Sequence, residues 1–275
     1  MRLTVRGKEV FVSTGGRDWT EYRDPAVMFI HGSGQNHLSF LLQARYLANR
    51  GYLVVNPDMP GHGHSEGPAL TSIEDMADWY LEVASAMGLQ SATLIGHSQG
   101  GLVQLEISKK DQESGTGFVD NNIFIATALA IPVNDMLLGL AKEKEASAIS
   151  AMTDWGHGTN AHLHDNSMPG MTHLYFGQQL MAANQSGALY ADLKACADYT
   201  GGADAAKAAG VSRCLAILGH QDKMTPIKAG RALAAATNAD VVEIPHSGHM
   251  MPNEAPDEVN AAMKDFLMKD ATHAF

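Results

Sequence analysis

The stretch Ala92-Thr93-Leu94-Ile95-Gly96-His97-Ser98-Gln99-Gly100-Gly101 governs how the rest of the chain is read. Residues suited to a strand give way to Gly-x-Ser-x-Gly, and Leu102-Val103-Gln104-Leu105-Glu106-Ile107 follows with the pattern of a helix. A strand that turns directly into a helix holds the residue at the bend in a strained conformation. Gly96 and Gly100 have no Cβ, so neighbouring backbone can pass close to that bend. Ser98 is therefore expected at the carboxyl end of a strand, above helix amides that favour a negatively charged oxygen. The pentapeptide alone is also an ordinary turn, and its weight comes from what surrounds it.

At 275 residues the chain is long enough for one large α/β core. A hydrophobic content of 45% supplies a packed interior, and 18% charged residues argue against disorder. The net charge of −11, from 19 basic and 30 acidic residues, would repel nucleic acid and anionic membrane. Two isolated cysteines, Cys196 and Cys214, make neither a disulfide framework nor a cysteine-rich metal site, and two reduced thiols are expected. Met1 to Val10 has charges spread through it and no apolar core, so it reads as neither signal peptide nor anchor. No later apolar run is long enough to span a bilayer. The expectation is a soluble cytoplasmic protein with no nucleic-acid partner and no membrane insertion; a homodimer is left open.

A hairpin is expected at the start, where Leu3-Thr4-Val5-Arg6 and Glu9-Val10-Phe11-Val12 flank Gly7-Lys8. Ala26-Val27-Met28-Phe29-Ile30 and Tyr52-Leu53-Val54-Val55-Asn56-Pro57 read as strands buried on both faces of a parallel sheet, with a helix from Leu38 to Asn49 between them. Thr71 with Glu74 predicts a capping box opening a helix that Gly88 ends. A strand is expected over Ile123 to Ala130. From Val133 to Gly210 the composition turns Ala-, Met- and His-rich, with helical stretches and no clear strand. Alternation resumes with a strand at Cys214–Leu218, a helix at Pro226–Ala236, a strand at Val241–Ile244 and a helix from Pro256 to Lys269. Such alternation predicts a parallel sheet with helices on both faces. Residues 1–132 and 211–275 are assigned to the α/β core and 133–210 to a helical cap inserted over its carboxyl edge.

Functional residues collect at the carboxyl ends of strands in open α/β sheets. There the chain delivers His31-Gly32-Ser33-Gly34, then Ser98, then Gly219-His220-Gln221-Asp222, then Pro245-His246-Ser247-Gly248-His249. The order is nucleophile, acid, histidine. With Pro57-Asp58-Met59-Pro60-Gly61-His62-Gly63-His64-Ser65 and Lys223-Met224-Thr225-Pro226, these motifs make the chain, from Ala26 to Phe266, resemble the α/β-hydrolase superfamily in its cap-bearing esterase, lipase and carbon–carbon-bond hydrolase branch.

The chemistry explains the residue types. A serine hydroxyl is a poor nucleophile near neutral pH and requires a base within hydrogen-bond reach. His249 is assigned that role, with Asp222 fixing its tautomer. The resemblance implies that backbone amides of Ser33 and Gln99 form the oxyanion hole, with Gly34 as second choice for the former. His246 is the rival base and Asp135 the rival acid. His31 is expected to support the oxyanion loop, His220 to be a loop residue beside the acid, and Asp58 and His62 to brace the active-site loops. His157, His162, His164 and His173, with Asp154 and Asp165, match no common zinc spacing and are read as cap surface rather than a metal site. Met152, Met168, Met171 and Met181 fit either an adaptable pocket or ordinary packing.

These assignments predict a serine hydrolase acting on small to medium carboxylic esters through an acyl-enzyme, with no cofactor and no metal. A serine at 98 is at odds with the carboxylate nucleophile that dehalogenases and epoxide hydrolases of this fold use. Diketone cleavage or lactone opening by the same triad is the alternative, and a non-catalytic ligand receptor on this fold is the alternative from another class.

Overall fold

The computed structural model describes residues 1–19, 25–163, 167 and 170–271. An eight-stranded sheet runs β1(Arg2–Val5), β2(Lys8–Ser13), β4(Leu53–Pro57), β3(Ala26–Ile30), β5(Ala92–His97), β6(Val119–Ile125), β7(Arg213–Gly219), β8(Asp240–Ile244). β1 and β2 form the N-terminal hairpin and join antiparallel, while β4 to β8 and β3 run parallel. The chain leaves β3 toward β4 on one side and returns with β5 on the other. The β3–β5 pair is thus the switch point, where loops at the carboxyl ends diverge and leave a crevice.

Alternate side chains of the central strands feed two apolar layers, as the pleat requires. Met28, Ile30 and Leu94 pack with Met76 and Trp79 of α2(Ile73–Ala86) and Leu102 and Val103 of α3(Gln99–Ser114). Val27, Phe29 and Ile95 pack on the opposite side with Leu47 of α1(Leu41–Ala48) and Val259, Met263 and Phe266 of α12(Pro256–Ala271). This is the parallel sheet with helices on both faces that the strand–helix alternation predicts, in the α/β-hydrolase arrangement that the resemblance implies. No described helix is long and apolar enough to cross a membrane. Cys196 and Cys214 are both free and buried.

Between β6 and β7 the chain forms α4(Asp135–Glu143), α5(Glu145–Gly156), α6(Thr159–Leu163), α7(His173–Ala182), α8(Ala188–Asp198) and α9(Gly202–Ala209). Leu137, Ile149, Met152, Met181, Leu189 and Leu193 give α4, α5, α7 and α8 a small apolar core of their own. Ala205, Ala206 and Ala209 of α9 instead pack on Leu105, Phe124 and Leu233 beside the sheet. The remaining elements are α10(Ile227–Ala236) and the short α11(Met251–Glu254).

Two of the boundaries that differ from the sequence reading have a clear physical cause. The N-cap of α2 is Ser72, whose hydroxyl accepts from Asp75 N at 3.2 Å, rather than Thr71. Strand β6 spans Val119–Ile125 and does not continue to Ala130, because Ala126 adopts φ +46 and turns the chain out of the sheet. The turn has a use: it delivers Thr127 to the bend at Ser98.

The loops after β3 and β4 are tied together by Asp58. One carboxylate oxygen accepts from His37 N at 2.7 Å and from His37 Nδ1 at 2.8 Å, and the other accepts from His64 N at 2.9 Å. Burial opposes ionisation of this carboxyl, but the bonds and charge of His37 and the two amides outweigh it, so its pKa falls below the ordinary 3.8. A depressed pKa stabilises the fold above the ordinary value, and this contribution is lost as pH falls through the folded value. Asp58→Ala should lower unfolding free energy by about 3 kcal/mol, and urea titrations should show a weaker acid-side loss than in the wild type. An unchanged midpoint at pH 7 counts against this brace.

Candidate active site

Ser98 sits where β5 becomes α3, with φ +53 and ψ −122. A non-glycine residue in this region costs about 1–3 kcal/mol and persists only when its surroundings over-determine it. Ser98 N donates to Ile125 O at 3.0 Å, while Ser98 O accepts from Thr127 Oγ1 at 2.7 Å and from Gly101 N at 2.9 Å. The bend also needs α3 to approach β3 closely: a Cβ at Gly100 would strike the carbonyl oxygen of Ile30. The Ser98 hydroxyl does not cap α3; it lines the cavity above the sheet.

Asp222 follows β7 and His249 follows β8, so adjacent strands bring them together. Asp222 Oδ1 accepts from the Met224 and Thr225 amides, both at 2.8 Å. Its Oδ2 accepts from Thr225 Oγ1 at 2.8 Å and from His249 Nδ1 at 2.9 Å. Burial would raise the Asp222 pKa, but His249 and the Thr225 bonds overcome it and hold the carboxyl below its usual range. With Nδ1 engaged, Nε2 is the nitrogen of His249 left for the cavity. Ser98 and His249 line that cavity together, with no direct hydrogen bond between them among the described residues.

Backbone contacts hold the imidazole in place. His249 N donates to Gly156 O at 2.8 Å, and His249 O accepts from His97 Nε2 at 2.8 Å. Burial, then the neighbouring His249, presses the His97 pKa down to about 3, so that ring is neutral and its proton serves this bond. His31 is likewise buried, its pKa down to about 4; it accepts from Met59 N at 3.1 Å through Nε2 while Nδ1 meets Gly32 O at 3.0 Å.

Of the two amides considered beside Gln99, Gly34 N is already given to Asp192 Oδ2 at 2.7 Å, whereas Ser33 N has no acceptor among the described residues. Gln99 N, at the first position of α3, is also without an acceptor there. The rivals lie elsewhere. His246 is exposed and borders a different hollow, with Glu243 and Glu258. Asp135 is exposed in the first turn of α4, and His220 pairs with Glu243 at 2.9 Å.

The cavity holds about 370 Å³. Leu137, Met152, Trp155, Met181 and Leu193 of the inserted helices wall it, as do Met224 and Met250, which sequence reasoning missed. Met171 is outside the lining, and Met168, His164 and Asp165 lie outside the described residues. His157 lines the cavity and donates from Nδ1 to Thr153 O at 2.8 Å; burial drives its pKa down to about 4. Among the described residues no group of three or more His, Cys, Asp or Glu is arranged to hold a metal ion.

Comparison with known proteins agrees with the architecture. Residues 27–262 match the model of the alpha/beta hydrolase family, and the chain belongs to that family. An enol-lactonase from Burkholderia xenovorans superposes with a TM-score of 0.85 at 20% identity, covering 98% of this chain and 100% of the other. A thermophilic esterase from Thermogutta terrifontis gives 0.82 at 21% identity and 98% coverage of both. In sequence, 86 residues are 35% identical to an (E)-2-((N-methylformamido)methylene)succinate hydrolase from Acinetobacter baylyi, spanning 31% of this chain and 32% of that protein. The matched stretches cover only 25% to 32% of the first curated relatives.

The close packing at the bend has a measurable consequence. Gly100→Ala should destabilise the fold by about 2 kcal/mol, since backbone on both sides must shift. Equal thermal stability of variant and wild type counts against the close approach.

Proposed function

We propose that the chain is a serine hydrolase that cleaves carboxylic esters of small to medium size through an acyl-enzyme. The observation that carries this reading is that Ser98, at a strained bend, shares one cavity with an imidazole whose far nitrogen is bound to a buried carboxylate. In this reading Ser98 Oγ attacks the ester carbonyl carbon while His249 Nε2 takes the hydroxyl proton. Asp222 keeps the imidazole in the tautomer that has Nε2 free and stabilises the imidazolium. The Ser33 and Gln99 amides hold the tetrahedral oxyanion. The alcohol leaves with the proton from His249; water then attacks the acyl-enzyme with the same base, releasing the acid and restoring Ser98. The missing Ser98–His249 bond fits a site whose catalytic hydrogen bonds tighten when substrate fills it.

The volume and apolar walls suit a substrate of modest size. The superposition with an enol-lactonase keeps lactone opening as the second reading, since an intramolecular ester meets the same attack. A panel of p-nitrophenyl esters of graded chain length, run beside a lactone and a diketone, decides among them. Retention of ligand without turnover would favour a receptor.

A fluorophosphonate should label Ser98 alone, as read by peptide mass; labelling elsewhere or nowhere defeats the mechanism. Ser98→Ala should leave the circular dichroism unchanged and lower kcat by on the order of 10⁴-fold or more.

A further inference from the structure

Outside the triad, another buried carboxylate touches the catalytic apparatus from the inserted helices. Asp192 of α8 is fully buried. Its Oδ2 accepts from Gly34 N at 2.7 Å and from His62 Nε2 at 2.9 Å. Its carbonyl accepts from Gln99 Nε2 at 3.0 Å, so the residue after the nucleophile hangs on the same point. One turn further along α8, Cys196 Sγ lies 3.6 Å from Ser33 Oγ. Residues from the β3 loop, the β4 loop and the start of α3 thus converge on one side chain and its own carbonyl.

A carboxylate is costly to bury, and Asp192 Oδ1 has no protein partner among the described residues. That is a poor arrangement for stability alone. His62 offsets the charge: burial disfavours its imidazolium, yet Asp192 outweighs this and raises its pKa. The Gly34 amide is thus engaged by Asp192, while the amide of Ser33, one residue earlier, has no acceptor among the described residues. The Gln99 side-chain bond likewise holds the start of α3, while its backbone amide has no acceptor among the described residues.

We propose that Asp192 is a positioning residue for the oxyanion hole: its carboxylate holds the Gly34 peptide and its carbonyl holds Gln99, setting the Ser33 and Gln99 amides toward the reacting carbonyl oxygen. This rests on the reading of Ser98, Ser33 and Gln99 given above. The inserted helix therefore takes part in transition-state stabilisation as well as walling the cavity.

The test uses the full chain, with Asp192→Asn as the closest isostere and the double variant His62→Gln/Asp192→Asn, which removes both charges together. Active sites are first titrated with a fluorophosphonate; kcat and KM are then measured on p-nitrophenyl butyrate, with affinities for an alkyl boronic acid and for butyrate. The expected result is a kcat per titrated site lower by on the order of 10²-fold, with KM within a few-fold. Boronate affinity and the phosphonate labelling rate should fall with kcat, whereas butyrate affinity should not. If Asp192→Asn does not fold, the double variant is read by the same criteria. If neither folds, Asp192 serves the fold and the proposal falls. Unchanged kcat per site in a folded variant also overturns it, as does a loss confined to Tm. Failure of the wild type to be labelled at Ser98 overturns the serine-hydrolase reading and this one together.

Discussion

The backbone of Ser98 is the constraint from which the rest of the site follows. A residue at φ +53 relaxes unless it is held, and here the holding is done by strands that are far apart in sequence. Ile125 O, at the end of β6, takes the Ser98 amide, and Thr127, just past the Ala126 turn, caps the Ser98 carbonyl. The parallel register that pairs Ile30 with Gly96 and His97 with Ile125 makes these contacts possible. Energy released in packing the two apolar layers is thus partly retained as conformational strain at one hydroxyl-bearing residue.

Around that point, three buried His–Asp pairs divide the labour. His249–Asp222 joins the loops after β8 and β7, His37–Asp58 joins those after β3 and β4, and His62–Asp192 joins the β4 loop to α8. In each pair a loop that would otherwise be free to wander is fixed by a charge-assisted bond in a low-dielectric setting, where such bonds are strong and their loss is severe. The neutral rings of His31 and His97 do quieter work, using one proton each to align backbone. Among the described residues the acidic excess stays out of the cavity: no Asp or Glu lines it.

Much of this arrangement was legible before any coordinates. Ala26–Ile30 forms a strand over those same residues because a five-residue apolar run ending in His-Gly is unambiguous when both faces are covered. The positions of Ser98, Asp222 and His249 could be read from the ends of strands, since loop residues there have few places to go. The end of β6 was not legible: Ala126-Thr127-Ala128-Leu129 has strand-like hydrophobicity, and the break comes from the left-handed turn at Ala126 that brings Thr127 onto the Ser98 carbonyl. Asp192 was invisible for a different reason. Within Leu189-Tyr190-Ala191-Asp192-Leu193 it reads as an ordinary polar helix position, and its partners lie 130 and 158 residues away in the chain. The shift from Thr71 to Ser72 at the start of α2 reflects two adjacent hydroxyls with nearly equal claims to the cap.

The methionines around the cavity have a consequence for selectivity. Met152, Met181, Met224 and Met250 are unbranched and soft, so the wall they make has no single contour. For the ester hydrolase proposed above, discrimination among guests of different bulk would be weak at the wall and sharp only where the carbonyl is gripped. In the proposed hydrolase, a chamber of this kind would favour breadth of diet, with chemical reactivity at the bond being broken counting for more than the outline of what is attached to it.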